Sequence, residues 1–369
     1  MAKIVNICDV CSEIFAGGDA PKGNMSETKT EEYNIPIYAN GEANEGLYGY
    51  TNKARVTKPS ITVSARGTIG YTAIRPTPFV PIVRLITLTP NPELIDIKYL
   101  YYAAQNYKFD GSGTSIPQLT VPSLKKYSFP LPAMEEQAHI VMILDNVCDL
   151  IDQKKQQLEL LDELVKSRFI ELFGDVANSP KYSGVLLGTI CSTLSGGTPT
   201  TKIPEYYQGD IPWISTPYLG NNHINGSSAK AYITEDAIKN SATHLIPANT
   251  IMFGIRVGVG KSSIIDEPMC ANQDIVALMG IDTNKYNLLF VKHVLDGYQS
   301  HFDSIKKGAT ILGITTDDLK KVMIPVVEME LQNQFATFVE QTDKSKLAIQ
   351  ESLAELETLK KALMQKYFG

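Results

Sequence analysis

The chain is written twice. With residues 113–174 laid over 308–369 at a constant offset of 195 and no gap, Gly113 falls on Gly308, Thr120 on Thr315, Leu124-Lys-Lys on Leu319-Lys-Lys and Pro130 on Pro325. Met134-Glu then falls on Met329-Glu and Gln137 on Gln332, and the register runs on through Leu158/Leu353, Leu161/Leu356 and Leu164/Leu359 to Phe173-Gly/Phe368-Gly. Upstream the match is looser. Cys11-Ser12 and Gly17-Gly18 answer to Cys191-Ser192 and Gly196-Gly197, Ile35-Pro36 to Ile211-Pro212, and Arg66/Gly70 to Arg256/Gly260. A duplicated unit of this size predicts two like folds related by a pseudo-two-fold, so that one chain can present two copies of one docking surface.

Proline and glycine mark the boundaries. No Pro occurs in 133–179 or 326–369, and no Gly in 133–173 or 328–368. Both gaps carry apolar residues at three- and four-residue spacing: Ile140, Leu144, Val147, Ile151, Leu158, Leu161 and Val165 in the first, and Phe335, Val339, Ile349, Leu353, Leu356 and Leu363 in the second. Two amphipathic helices are predicted, each spanning roughly 60 Å at 1.5 Å per residue. Residues 1–132 and 176–327 differ sharply in kind. They hold 17 of the 18 tyrosines and the single Trp213, with short apolar runs such as Ser60-Ile-Thr-Val-Ser, Thr250-Ile-Met-Phe and Asp274-Ile-Val-Ala-Leu-Met between Gly, Pro and Asn. Tyr99-Leu-Tyr-Tyr-Ala-Ala-Gln and Leu288-Leu-Phe-Val-Lys-His-Val-Leu read as a short helix late in each globule. The predicted fold is α+β: mixed globules at 1–132 and 176–327, and long helices at 133–175 and 328–369.

Composition limits what such a chain does. No stretch approaches eighteen consecutive apolar residues, and Asn6 and Asp9 break the opening apolar pattern, so neither a membrane span nor Sec export is expected. The five cysteines (Cys8, Cys11, Cys148, Cys191, Cys270) are scattered and odd in number, which fits a reducing cytosol. The net charge of −6 is localised: the globules carry +2 and 0, and the helical segments −6 and −2. Near-neutral globules leave nucleic acid open as a ligand, bound weakly unless partners add phosphate contacts.

Arg66 and Arg256 each follow a strand-like run and precede glycine-rich backbone, a place from which a guanidinium reaches a phosphate or a guanine edge, or else a carboxylate of its own domain. Thr198, Thr200 and Lys202, with Tyr206 and Tyr207 after them, combine hydroxyls, a cation and aromatics in one glycine-started loop. Lys53 and Arg55 beside Tyr48 and Tyr50 form a similar cluster. Trp213 is expected in the core. Ile255-Arg-Val-Gly-Val-Gly-Lys261-Ser-Ser invites a phosphate-loop reading, but Ile255 stands where the first Gly is required. Cys8-x-x-Cys11 has no second pair, and His139, His223, His244, His293 and His301 form no metal-ligand spacing. Asn91-Pro-Glu-Leu is not the Asn/Asp-Pro-Pro-Tyr run of amino-methylating enzymes. No catalytic centre, metal or cofactor is expected on this chain.

Phe129-Pro-Leu-Pro-Ala-Met-Glu-Glu-Gln, leading into Ile143-Leu-Asp and Leu161-Asp-Glu-Leu-Val-Lys-Ser-Arg-Phe-Ile-Glu-Leu-Phe-Gly, resembles the central helical region of the specificity subunit of type I restriction-modification systems. Leu194-Ser-Gly-Gly-Thr-Pro, Tyr206-Tyr207, Gly209-Asp-Ile-Pro-Trp-Ile and the Arg256/Gly260 turn are similar to that family too. The first globule departs from it, with Ala16-Gly-Gly-Asp-Ala-Pro and no Trp. The resemblance implies two target-recognition domains held apart by helices packed as an antiparallel coiled coil, with the apolar positions above as the seam. It implies a cytoplasmic, nucleoid-associated protein reading a bipartite, gapped site on double-stranded DNA and docking two methyltransferase subunits, with restriction/translocase subunits joining. S-adenosylmethionine, ATP and Mg would sit on those partners. DNA-contacting positions would include Lys53, Arg55, Arg66, Thr198, Thr200, Lys202, Tyr206, Tyr207, Arg256 and Lys261. The rival readings are a coiled-coil scaffold that binds proteins and a phosphate-loop enzyme.

Overall fold

The computed structural model describes residues 2–107, 118–229, 231–308 and 310–369; Gly113 of the sequence repeat lies outside them. The chain divides into two units, Met1–Gln156 with Ile349–Gly369, and Gln157–Ala348. Two 40-residue helices, Met134–Phe173 (the central helix) and Met329–Phe368 (the distal helix), each contribute one part to each unit. The central helix starts just after Pro132 with Glu135 and Glu136 in its first turn, where carboxylates meet the positive end of the helix dipole. Gly174, at φ 80°, follows its last residue in the left-handed conformation that terminates helices.

In the first unit a four-stranded antiparallel sheet runs in the order Cys11–Ala16, Ile86–Pro90, Ser60–Val63, Thr72–Arg75. A smaller sheet places Ile35–Tyr38 between Leu47–Thr51, antiparallel, and Val80–Pro81, parallel. The second unit repeats both patterns. Its larger sheet runs Ser192–Ser195, Ile275–Met279, Thr250–Gly254, Ser262–Ile265, with His223–Ile224 added in parallel at the edge. Its smaller sheet places Ile211–Ile214 between Ala231–Ile233, antiparallel, and Cys270–Ala271, parallel. The sheets are built from β-branched and aromatic runs, and the central strands Ser60–Val63 and Thr250–Gly254 are buried along their whole length.

Each unit closes its core on both long helices. In the first, Ile61, Leu88, Tyr99, Leu124 and Phe129 share one apolar cluster with Ile140 and Leu144 of the central helix and Met364 and Phe368 of the distal helix. In the second, Phe253, Phe290, Phe302 and Ile324 cluster with Val165, Phe169 and Phe173 of the central helix and Phe335 and Val339 of the distal helix. Phe335 meets Phe169 and Phe173 edge-on, with ring centroids 5.3 and 5.6 Å apart. Such pairs contribute about 0.5–1.5 kcal/mol each beyond the area they bury. Of the remaining seam positions, Val147 and Ile151 are buried, while Leu158, Leu161, Ile349, Leu353, Leu356 and Leu363 are half-buried. Among the described residues no helix is long and apolar enough to cross a membrane.

Candidate nucleic-acid interface

The two arginines singled out by the repeat stand on equivalent hairpin loops. In the first unit the chain leaves Ser60–Val63, passes Arg66, and returns at Gly70, whose N–H donates to the Ser64 carbonyl at 2.9 Å. In the second it leaves Thr250–Gly254, passes Arg256, and returns at Gly260, whose N–H donates to the Gly254 carbonyl at 3.1 Å. Gly70 and Gly260 have φ of 89° and 92°, left-handed angles that favour glycine at the same place in both loops. The neighbouring segment is shared as well: Leu119 N–H donates to the Ala65 carbonyl and Ile314 N–H to the Ile255 carbonyl, both at 2.9 Å.

Both arginines are exposed. The Arg66 guanidinium donates to Gln118 Oε1 at 2.8 Å. Among the described residues that of Arg256 has no ion pair or side-chain hydrogen bond, and neither arginine pairs with a carboxylate there. Lys261 ends the Arg256 loop, exposed, its N–H donating to the Gly258 carbonyl at 3.1 Å. This loop joins two antiparallel strands. A phosphate loop passes from a strand into a helix, so the Gly-Lys-Ser run does not build one here.

A second shared feature brings the glycine pairs beside these hairpins. Gly17 and Gly196 lie against the turn at which the chain passes from the small sheet to the large one. A Cβ on Gly17 would come within 2.6 Å of the Pro81 carbonyl, and one on Gly196 within 2.2 Å of the Asn272 carbonyl oxygen. Gly17 N–H donates to the Leu85 carbonyl at 2.8 Å and Gly196 N–H to that of Ile275 at 2.9 Å. In the second unit this turn also touches both flanking loops: Thr198 Oγ1 donates to Gln273 Oε1, and Ile255 and Arg256 N–H groups donate to the Asp274 carbonyl. In the first unit Asn40 makes the connection, its Oδ1 accepting from Ala65 N–H at 2.7 Å and its Nδ2 donating to the Val83 carbonyl at 2.6 Å. Asn40, Arg84, Gln273 and Asp274 were not singled out from sequence. The Asn40-Gly41 pair is a turn signal that could have drawn attention to the first.

Lys53 and Arg55 line a cavity of about 500 Å³ with Pro21, Asn24, Thr51 and Asn52. The Arg55 guanidinium lies 4.3 Å from the Phe15 ring centroid, which holds the cation in place by its attraction to the ring face. Thr200 and Lys202 are exposed, with Lys202 N–H donating to Thr200 Oγ1 at 3.3 Å. Tyr206 and Tyr207 are half-buried against the cluster of Ile233, Ala237 and Cys270. The Tyr207 hydroxyl donates to the Pro199 carbonyl at 2.7 Å, and burial raises its pKa, so it serves as a neutral packing group. Trp213 departs from expectation: it is half-buried rather than core, because its indole N–H reaches the Gly197 carbonyl at 3.0 Å from the rim of this cluster. Cys8 is exposed and Cys11 half-buried, with burial the main cause that pushes the Cys11 thiol up to about 12.

A model of the type I restriction modification DNA specificity domain matches residues 2–161 and again 182–359. The Mycoplasma pneumoniae protein S.MpnORF89P is 36% identical over 143 residues, 39% of this chain and 42% of that protein. The type I restriction enzyme EcoR124I/EcoR124II specificity subunit of Escherichia coli is 28% identical over 277 residues, 70% of this chain and 66% of that one. The chain thus spans about two-fifths of the length of the first relative and 66% of the second. The crystal structure of a type-I restriction-modification S subunit from M. genitalium superposes with a TM-score of 0.58 at 17% identity, over 100% of this chain and 96% of that one, a likeness of fold.

Proposed function

The chain belongs to the type I restriction-modification DNA specificity family, and from that membership we propose that it is the non-catalytic, sequence-reading subunit of a type I restriction-modification complex. Residues 1–132 and 176–327 act as the two target-recognition domains, each reading one half of a bipartite, gapped site on double-stranded DNA. The observation that carries this reading is the pair of equivalent, exposed arginine hairpins, Arg66 and Arg256, set on the same sheet topology with different side chains around them. Equal scaffolds with unequal readers suit two unlike half-sites. Lys53, Arg55, Thr198, Thr200, Lys202 and Lys261 supply phosphate or base contacts beside them, with Tyr206 and Tyr207 supporting the second loop.

Residues 133–175 and 328–369 act as an antiparallel coiled-coil spacer. Support comes from the pairing of helix ends within each unit: Phe173, at the end of the central helix, meets Phe335 near the start of the distal one, and Ile140 shares a core with Phe368. The helices dock two methyltransferase subunits, and restriction/translocase subunits complete the complex. S-adenosylmethionine, ATP and Mg are bound by those partners, and the complex works in the cytoplasm on nucleoid DNA. DNA retention by the purified chain, alone and with a methylating partner, tests the proposal. Sequence-selective retention with the partner supports it, and protein binding without any DNA retention overturns it in favour of a scaffold.

A further inference from the structure

The turn Ile82–Leu85 is closed by a hydrogen bond from Leu85 N–H to the Ile82 carbonyl at 3.0 Å, and its two central residues are Val83 at φ 51° and Arg84 at φ 65°. Two consecutive left-handed residues define a turn that normally takes Gly, Asn or Asp, and a β-branched Val is especially disfavoured there. Such strain persists only where surrounding structure holds it. Here Val83 N–H donates to the Gly18 carbonyl at 2.8 Å, Arg84 N–H to the Gly17 carbonyl at 3.1 Å, and Asn40 Nδ2 to the Val83 carbonyl at 2.6 Å. The other arm of Asn40 binds Ala65, the residue before Arg66. The turn is thereby fixed beside the candidate DNA-reading hairpin.

Three arginines surround this point, and two are engaged: Arg66 with Gln118, and Arg55 on the Phe15 ring. Arg84 is exposed and has no ion pair or side-chain hydrogen bond among the described residues. The corresponding turn of the second unit, Asn272–Ile275, is closed by the same bond at 3.1 Å, has no left-handed residue, and carries Gln273 and Asp274 instead. We propose that Arg84, on its strained and over-determined turn, is a specificity-determining residue of the first unit that reads a guanine through its O6 and N7 acceptors. The inference rests on the DNA-reading function above. A phosphate contact tolerates a mobile cation, whereas bidentate guanine readout requires a guanidinium at fixed height and angle. The rigid backbone under Arg84 supplies that requirement.

The test uses the full chain with its methyltransferase partner on a randomised DNA library, with modified sites read by sequencing. Arg84→Ala and Arg84→Lys should each lose roughly 10- to 100-fold discrimination at one base pair of one half-site, leaving the spacer and the other half-site unchanged. Asn40→Ala, which frees the turn but keeps the arginine, should relax the same position to a smaller degree. Full discrimination in Arg84→Lys together with uniform weakening of every target in Arg84→Ala would make Arg84 a phosphate contact and overturn the proposal. Unchanged specificity in both variants would also overturn it. A wild-type complex that shows no sequence preference fails the DNA-reading function itself, an outcome distinct from failure at Arg84.

Discussion

Gln137 and Gln332, 195 residues apart, are both fully buried and make the same three hydrogen bonds. Each Oε1 accepts from the N–H of the residue that caps the short helix of its unit, Asp96 at 2.9 Å and Asn287 at 2.8 Å. Each Nε2 donates to two carbonyls, those of Leu94 and Pro132 for Gln137 and those of Lys285 and Val327 for Gln332. One amide thus ties the first turn of a long helix to the loop before a short one, in both halves of the chain.

Removing that tie strands a buried donor and two acceptors. Gln137→Ala and Gln332→Ala are each expected to cost about 2–4 kcal/mol, read as a lower urea midpoint. Gln→Glu at either site should be at least as costly, because a carboxylate would face two carbonyl oxygens in place of a donor. A loss below about 1 kcal/mol in both alanine variants would show that the bonds contribute little net stability.

His293 gives the second unit a pH dependence. Burial is the main cause that lowers its pKa to about 4, with Lys292 and Lys346 acting the same way and Asp296 opposing. The unfolded chain takes up a proton near pH 6.5, which the folded unit refuses until about pH 4. Its contribution is complete above pH 6.5 and declines as pH falls toward 4, by up to about 3 kcal/mol. Denaturant midpoints measured from pH 7.5 to 4.5 should show this slope, and His293→Leu should flatten it. An unchanged slope in the variant would assign it to other groups.

Phe335 and Asp162 separate packing from charge in the second unit. Phe335 is fully buried between Phe169 and Phe173, so Phe335→Ala should cost about 3–5 kcal/mol. Asp162 meets Lys346 at 2.5 Å on the surface, and Asp162→Asn should cost under about 1 kcal/mol. Thermal melts of the two variants rank them. Equal losses would contradict the assignment of stability to the aromatic cluster.

The spacer role of the helices is tested by length. Four residues inserted into one helix add about 6 Å, and the preferred gap between half-sites should change by one or two base pairs at ~3.4 Å each with both half-sequences kept. Leu158→Glu or Leu353→Glu, placing a charge on the half-buried seam, should abolish co-purification of the methyltransferase subunit. Unchanged co-purification would count against the coiled-coil proposal.

The repeated framework was legible because its determinants are local. Thr120 and Thr315 cap the short helices that follow them, Leu124 and Leu319 are buried behind those caps, and both long helices start four residues past a proline of the register, after Ala133 and Glu328 respectively. The recognition surfaces were only partly legible. Arg66 and Arg256 could be found because glycines follow at fixed spacing, but the offset drifts from 180 at Cys11 to 190 at Arg66 as loops differ in length. Arg84 was not legible because Pro81-Ile-Val-Arg-Leu carries no Gly, Asn or Asp to signal a left-handed turn. Its left-handed turn is imposed by Gly17, Gly18 and Asn40, residues distant in sequence. Trp213 was misplaced for a like reason, since the Gly197 carbonyl that draws it to the rim is a tertiary partner.

The most direct test of the central claim is the methylation pattern laid down in a host lacking other methyltransferases, with this chain expressed beside its methylating partner and the modified bases mapped by sequencing. The expected result is a two-part motif with an unread gap, in which replacing residues 176–327 by another recognition domain changes one half and leaves the gap and the other half intact. A continuous, ungapped motif, or a swap that alters both halves together, would contradict the two-reader account.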